Sequence, residues 1–264
     1  MTDGTGYVLD NSHVEAGQRF EVMSRLFDPW TLRHVDALGI QTGWRCWEVG
    51  AGGPNVPAQL AARVGERGYV LATDLDTRWM SETEDPVVDV RQHDVADQEP
   101  PAADFDLVHA RLVLGHVPQR DQALRTLVEV LRPGGWLLLE EADTTLQPLV
   151  CIDEHGPEEQ LANKIKDDFR ELASRRGGVA YGRTLPRNLR AAGLLDVRAD
   201  AYFPVTGPDC ALLEKGTVQI VRDQLVEQGL ATAAEIDRHL DNVTSGRLDL
   251  TMPPLVTAAG RKPA

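Results

Sequence analysis

Gly50 and Gly52 follow the apolar, β-favouring stretch 44–49 and stand in a cluster, Gly50-Ala51-Gly52-Gly53-Pro54, that no regular element tolerates. Glycine is needed where the backbone takes a positive φ or where a ligand comes closer than a Cβ permits, so a ligand can lie against main chain here. The same residues also suit a tight strand-to-helix turn with nothing bound. Asp74 ends the next apolar stretch, 69–73. A carboxylate some 20 residues after a glycine-rich turn is where the ribose hydroxyls of nucleotide-type cofactors are gripped; otherwise it would cap a helix beginning near Thr77. Asp94, in His93-Asp94-Val95, is a second carboxylate at a strand's end. His116, in Leu114-Gly115-His116-Val117-Pro118, and His155, in Glu154-His155-Gly156, are the candidate general bases. Their structural alternatives are a loop-holding hydrogen bond for His116 and plain solvation for His155, and His109 reads as structural within its strand. No His/Asp/Glu spacing compels a metal, and no Gly-x-Ser-x-Gly occurs.

The elements that must position these residues alternate. Strand 44–49, the glycine turn, helix 57–64 and strand 69–73 make one βαβ unit with parallel, adjacent strands, which puts Asp74 beside the glycine loop. Strands over 87–91, 105–109 and 136–140, with a helix over 122–131 closed by a turn at Arg132-Pro133-Gly134-Gly135, extend the pattern. Five strands alternating with helices predict an α/β, doubly wound, open parallel sheet whose ligand lies outside the carboxyl ends of the strands. Before them, two short helices broken at Asp28-Pro29 either cover the sheet or form a lid using Tyr7, Arg33 and His34. After them come a helix from 158 to about 175 stopped by Gly177-Gly178, a helix over 184–192, a strand over 196–203, helices around 212–228 and 232–243, and a closing strand over 255–259. The expected organisation is a single domain, 1–264: helical lid 1–40, cofactor-binding core 41–142, connector helices and sixth strand 143–203, helical cap insertion 204–252, closing strand 253–264.

A formal net charge of −14 over 264 residues argues against a nucleic-acid or anionic-membrane partner, because gripping phosphates needs a basic face; a small molecule fits better. The polar start and the lack of an apolar run near the roughly 18 residues of a membrane span predict a soluble, cytoplasmic chain. Cys46, Cys151 and Cys210 form no Cys-x-x-Cys pair and suggest neither a disulfide framework nor a zinc site.

With the elements placed, the chain resembles the class I S-adenosylmethionine-dependent methyltransferases of the small-molecule, ubiquinone/menaquinone-biosynthesis type. Glu48-Val49-Gly50-Ala51-Gly52 matches the family's acidic-x-Gly-x-Gly loop, Ala72-Thr73-Asp74-Leu75-Asp76 its ribose motif and His93-Asp94-Val95 its adenine motif. Phe105-Asp106-Leu107-Val108 and the run from Leu131 to Leu139 match the fourth and fifth strands. Pro54 stands where the family usually has a third glycine. The resemblance implies a mostly parallel, seven-stranded Rossmann-like sheet with an antiparallel last strand, and S-adenosylmethionine as cofactor. It places Gly50 and Gly52 near the methionyl and ribose parts, Glu48 near the amino group, and Asp74 on both ribose hydroxyls. It further packs Leu75 on the adenine, sets Asp94 and Val95 on the adenine edge, and offers the Ala110 carbonyl, just past the fourth strand, to the methionyl amine. The function it implies is methyl transfer to a small-molecule acceptor, at a hydroxyl oxygen with nitrogen and carbon open, in bacterial secondary metabolism. Two alternatives are the same fold using its cofactor as a scaffold for a non-methylating reaction such as a cyclisation, or for binding only, and a nicotinamide-dependent oxidoreductase. The last wants a glycine at position 55, where Asn55 stands, and lacks an evident Tyr/Lys pair.

Overall fold

A computed structural model describes residues 15–80, 85–175 and 180–264. The β-favouring stretches form β1 (Arg45–Val49), β2 (Tyr69–Asp74), β3 (Val88–Gln92), β4 (Phe105–Arg111), β5 (Leu131–Ala142), β6 (Leu195–Tyr202) and β7 (Leu255–Arg261). They join one seven-stranded sheet in the order β3-β2-β1-β4-β5-β7-β6. The first five strands run parallel, and β7 is antiparallel to both β5 and β6. The helices are α1 (Glu15–Ala37), α2 (Asn55–Val64), α3 (Arg120–Glu129), α4 (Pro157–Ser174), α5 (Leu185–Ala191), α6 (Pro208–Glu227) and α7 (Ala233–Thr244). None of the described helices is long and apolar enough to cross a membrane.

The chain divides into two compact units. One holds Phe27–Ala142, Tyr181–Tyr202 and Leu255–Ala264; the other holds the chain up to Leu26, Asp143–Ala180 and Phe203–Pro254. In the sheet unit, the period-two alternation of strand side chains makes two apolar layers. Trp47, Val49, Leu71, Val108, Ala110, Leu137 and Leu139 pack with Leu124 and Leu127 of α3 and Leu185 and Leu189 of α5. On the opposite face Cys46, Val70, Leu107, Leu138 and Ala259 pack with Leu60 and Val64 of α2 and with Val35 of α1. Burying each such leucine contributes about 1.5–3 kcal/mol, and the doubly covered sheet explains why its central strands are almost continuously apolar.

In the helical unit α4, α6 and α7 close on a core of Leu161, Ile165, Leu172, Val218, Val221, Leu225 and Ile236. Thr232 and Glu235 form a reciprocal capping box that starts α7. Buried Lys166, Glu214 and His239 meet within this unit, Glu214 lying 3.6 Å from the Lys166 ammonium and 3.3 Å from His239 Nε2. The segments expected as cap and connector helix fall in this helical unit.

Two expectations are corrected. The helix break at Asp28-Pro29 does not occur: α1 runs unbroken with Pro29 inside it. An interior proline costs about 3 kcal/mol, and the residues around it offset that cost with tertiary bonds, Asp28 to Arg111 at 2.7 Å and Trp30 Nε1 to Thr257 Oγ1 at 3.1 Å. The stretch Arg132-Pro133-Gly134-Gly135 is not a turn ahead of the fifth strand but its beginning. Gly134 N donates to Lys262 O at 3.0 Å and Lys262 N to Gly135 O at 2.8 Å, while the β4–β5 register shifts between Phe105 and Leu107, so an irregularity in the ladder absorbs the proline and the positive φ of Gly134. Of the two residues named for a lid, His34 bonds the sheet, its Nε2 lying 2.8 Å from Asp200 of β6, while the exposed Arg33 guanidinium lies 4.7 Å from the Trp30 ring of its own helix. Tyr7 and Gly177-Gly178 lie outside the described residues.

Candidate cofactor site

At the carboxyl end of β1 the chain turns through Gly50 and Gly52, whose φ values of 63° and 65° are left-handed and favour glycine. A Cβ on Gly50 would fall on the Val113 side chain, whereas one on Gly53 would meet nothing within 4 Å. Pro54 stands at the N-cap of α2 with φ −79°, and its carbonyl accepts Ala58 N at 2.9 Å, so the missing third glycine leaves the helix start intact.

Asp74 closes the loop. One carboxylate oxygen accepts Gly52 N at 2.9 Å and the other accepts Asp76 N at 3.0 Å. Burial pushes its pKa above the ordinary carboxylate value, against the pull of the Asp76 and Gly52 amides. The Leu75 amide also bonds the group, and since an ionised carboxylate has about four acceptor positions, capacity for a ligand hydroxyl remains. Beside it Leu75 is 63% exposed, an apolar surface at the strand end of the kind a flat heterocycle covers. Asp94 is half-buried and its Oδ1 accepts Ala96 N at 2.8 Å, while Val95 packs against the core. These residues follow β1, β2 and β3, adjacent strands of the sheet, and together they fit an adenosyl group.

Glu48 is buried and commits its carboxylate to His109, whose Nδ1 lies 2.6 Å away; His109 Nε2 faces Glu140 at 3.4 Å. Glu140 also accepts Thr257 Oγ1 at 2.7 Å and the Thr31 hydroxyl, and Arg111 donates to Thr31 at 2.8 Å. Burial alone would push His109 down, yet the Glu48 charge and the hydrogen bonds to Glu140 and Glu48 raise it to about 9, so it is an imidazolium bridging two carboxylates. Ala110 is corrected in position: it lies inside β4, fully buried and paired with Val49 and Leu139, because β4 runs on to Arg111.

His116 ends the 3₁₀ turn Leu114–His116 after β4, and its side chain is exposed. His155 belongs to the helical unit, 72% exposed, with Glu159 at 3.7 Å and Asp153 at 3.9 Å. The Asp153 carbonyl and the Glu159 charge raise its pKa. Among the described residues no cluster of three or more His, Cys, Asp or Glu could hold a metal ion. Sequence reasoning missed Val113 and Glu141. Burial pushes Glu141 up to about 7, and it receives the amides of Val113 at 3.1 Å and Gly115 at 3.2 Å. The signal was a pair of carboxylates, Glu140-Glu141, ending an apolar strand; alternation sends them to opposite faces, and each then needs a buried partner.

Comparison with known proteins identifies the family. Residues 47–139 match the family model described as a methyltransferase domain. The chain is 30% identical over 199 residues to the ubiquinone/menaquinone biosynthesis C-methyltransferase of Vibrio vulnificus (strain YJ016), covering 69% of this chain and 75% of that one. To the Vibrio cholerae protein of the same description (strain O395) it is 31% identical over 129 residues, spanning 46% of this chain and half of the relative's length. The solved structure of Haemonchus contortus phosphoethanolamine N-methyltransferase 2 in complex with S-adenosyl-L-methionine superposes with a TM-score of 0.60 at 17% identity, covering 100% of this chain and 62% of that one. The chain belongs to the class I S-adenosylmethionine-dependent methyltransferases. S-adenosylmethionine is the cofactor of that family.

Proposed function

We propose that this chain methylates a small-molecule acceptor at a hydroxyl oxygen, with His116 as general base, in a cytoplasmic setting and without nucleic-acid or membrane partners. The observation that carries the reading is Asp74, which at the carboxyl end of β2 ties down the glycine loop through Gly52 beside the exposed Leu75. When bound, S-adenosylmethionine supplies a sulfonium methyl, an electrophile that needs little beyond an aligned nucleophile. Gly50, Gly52, Asp74, Leu75, Asp94 and Val95 hold it. His116, exposed at the end of the turn after β4, takes the hydroxyl proton of the acceptor as the oxygen becomes nucleophilic.

A second reading is methylation at carbon, favoured by the relatives described as ubiquinone/menaquinone biosynthesis C-methyltransferases. The same base serves it, because removing the proton of a phenol creates an anion nucleophilic at oxygen and at ring carbon. The test is an assay with ¹³C-methyl-labelled S-adenosylmethionine against phenols, catechols and hydroxyquinones. A label on oxygen, lost about 10²-fold or more in His116→Ala with cofactor affinity unchanged, is the expected result. Label on ring carbon alone would replace the first reading with the second.

A further inference from the structure

The carboxylate of Glu141 lies against the turn that follows β4. It accepts Val113 N at 3.1 Å and Gly115 N at 3.2 Å, and Leu114 N faces the same group. Three successive amides on one buried carboxylate form a fixed anion cradle, and charge-assisted bonds of this kind are roughly twice as strong as neutral ones. The turn so held carries two residues that the functional reading uses. Val113 places its side chain where a Cβ of Gly50 would stand, so it backs the glycine loop directly. His116, the proposed base, ends the same turn, its amide bonded to Val113 O at 3.0 Å.

We propose that Glu141 is a positioning residue of the methyl-transfer site, its carboxylate clamping the Val113–Gly115 turn and through it setting both the glycine loop at Gly50 and the base at His116. This rests on the functional reading above. Glu141 touches neither acceptor nor donor; it acts through the backbone. The groups that face it are known: Arg120 of α3 draws its pKa down, and Tyr181, whose ring lies 5.1 Å from the Arg120 guanidinium, feels its charge. Glu140, its neighbour in β5, is directed to the other face and engaged by His109, Thr31 and Thr257. Burial raises Glu141 to about 7, so the clamp is strong when ionised on the alkaline side of neutrality and weaker when protonated on the acid side.

Two readouts test this without methyl transfer. The first is the ¹⁵N–¹H shifts of the Val113 and Gly115 amides against pH in the cofactor-free protein. The second is calorimetric affinity for S-adenosylmethionine over the same range. In the wild type both amides titrate together near neutrality, and cofactor affinity rises with the same midpoint. In Glu141→Gln, which keeps an acceptor oxygen but cannot ionise, that titration is absent; the dissociation constant is about tenfold higher than wild type near pH 8 and converges with it near pH 6. Val113→Ala leaves the amide titration in place and weakens binding about threefold. It keeps the proposal testable should Glu141→Gln fail to fold. Amides that do not titrate, or a folded Glu141→Gln that binds as the wild type does near pH 8, would overturn the role of Glu141 alone. Absence of cofactor binding by the wild type would overturn the functional reading and this role with it.

Discussion

At the scale of single residues the cofactor site rests on Asp74 and Gly50, and each makes a separable prediction. Asp74 holds Gly52 N and Asp76 N, and in the proposed site it is the residue that takes the ribose. Asp74→Ala removes both the loop anchor and the ribose acceptors; hydrogen bonds to a charged group contribute about 1.5–3 kcal/mol each, so affinity for S-adenosylmethionine should fall by about 10²-fold or more in calorimetry. Asp74→Asn, which keeps acceptor capacity on one atom, should lie between. Gly50 has a φ of 63° and Val113 on the side where a Cβ would go. Gly50→Ala therefore adds strain and a clash, and should lower stability by about 1–3 kcal/mol in urea titration while weakening the cofactor. A Gly50→Ala protein as stable and as tight-binding as the parent would mean the turn is not the close-approach site described.

At the scale of elements, the acidic end of β1, the middle of β4 and the end of β5 are joined by Glu48, His109 and Glu140. Removing the imidazolium leaves two buried carboxylates facing one another, so His109→Ala should cost about 3–5 kcal/mol of stability, read by denaturant titration. His109→Gln, which retains a donor, should recover part of it. Strands and the glycine turn were legible in the sequence because β-favouring runs such as 44–49 and 69–73 end at Gly50 and Asp74. The alternation of strands with helices then placed Asp74 and Asp94 at strand ends. The unbroken α1 was not legible: Pro29 is a local break signal, and what overrides it, Asp28 on Arg111 and Trp30 on Thr257, is tertiary. The early start of β5 escaped for a similar reason, since only pairing with Phe105 and the bonds to Lys262 turn Pro133-Gly134 into strand. What Glu141 binds was hidden, because its partners are backbone amides, which carry no residue signature.

At the scale of the whole molecule, the buried charges give stability a definite pH dependence. His109 has its pKa raised from the unfolded value, 6.5, to about 9, so its contribution is full below about pH 6.5 and is lost as pH rises through about 9. Glu141 is a carboxyl raised from 4.5 to about 7, so the folded state holds its proton where the unfolded chain does not, and stability declines as pH climbs between those values. Glu214, beside Lys166 and His239, is lowered to about 2; its contribution is present above about 4.5 and is lost as pH falls toward 2. The net charge of −14 adds repulsion on the alkaline side. Melting temperature should therefore peak on the acid side of neutrality and fall steadily from about pH 7 to 10, with the upper part of the fall flattened in a folded His109→Gln. The measurement that tests the central claim most directly is calorimetric titration of the purified protein with S-adenosylmethionine and S-adenosylhomocysteine, beside Asp74→Ala. Binding of both sulfur ligands with a micromolar dissociation constant, reduced about 10²-fold or more in the folded variant, is the predicted result. A folded wild type that binds neither, or an Asp74→Ala protein that binds as tightly as its parent, would contradict it.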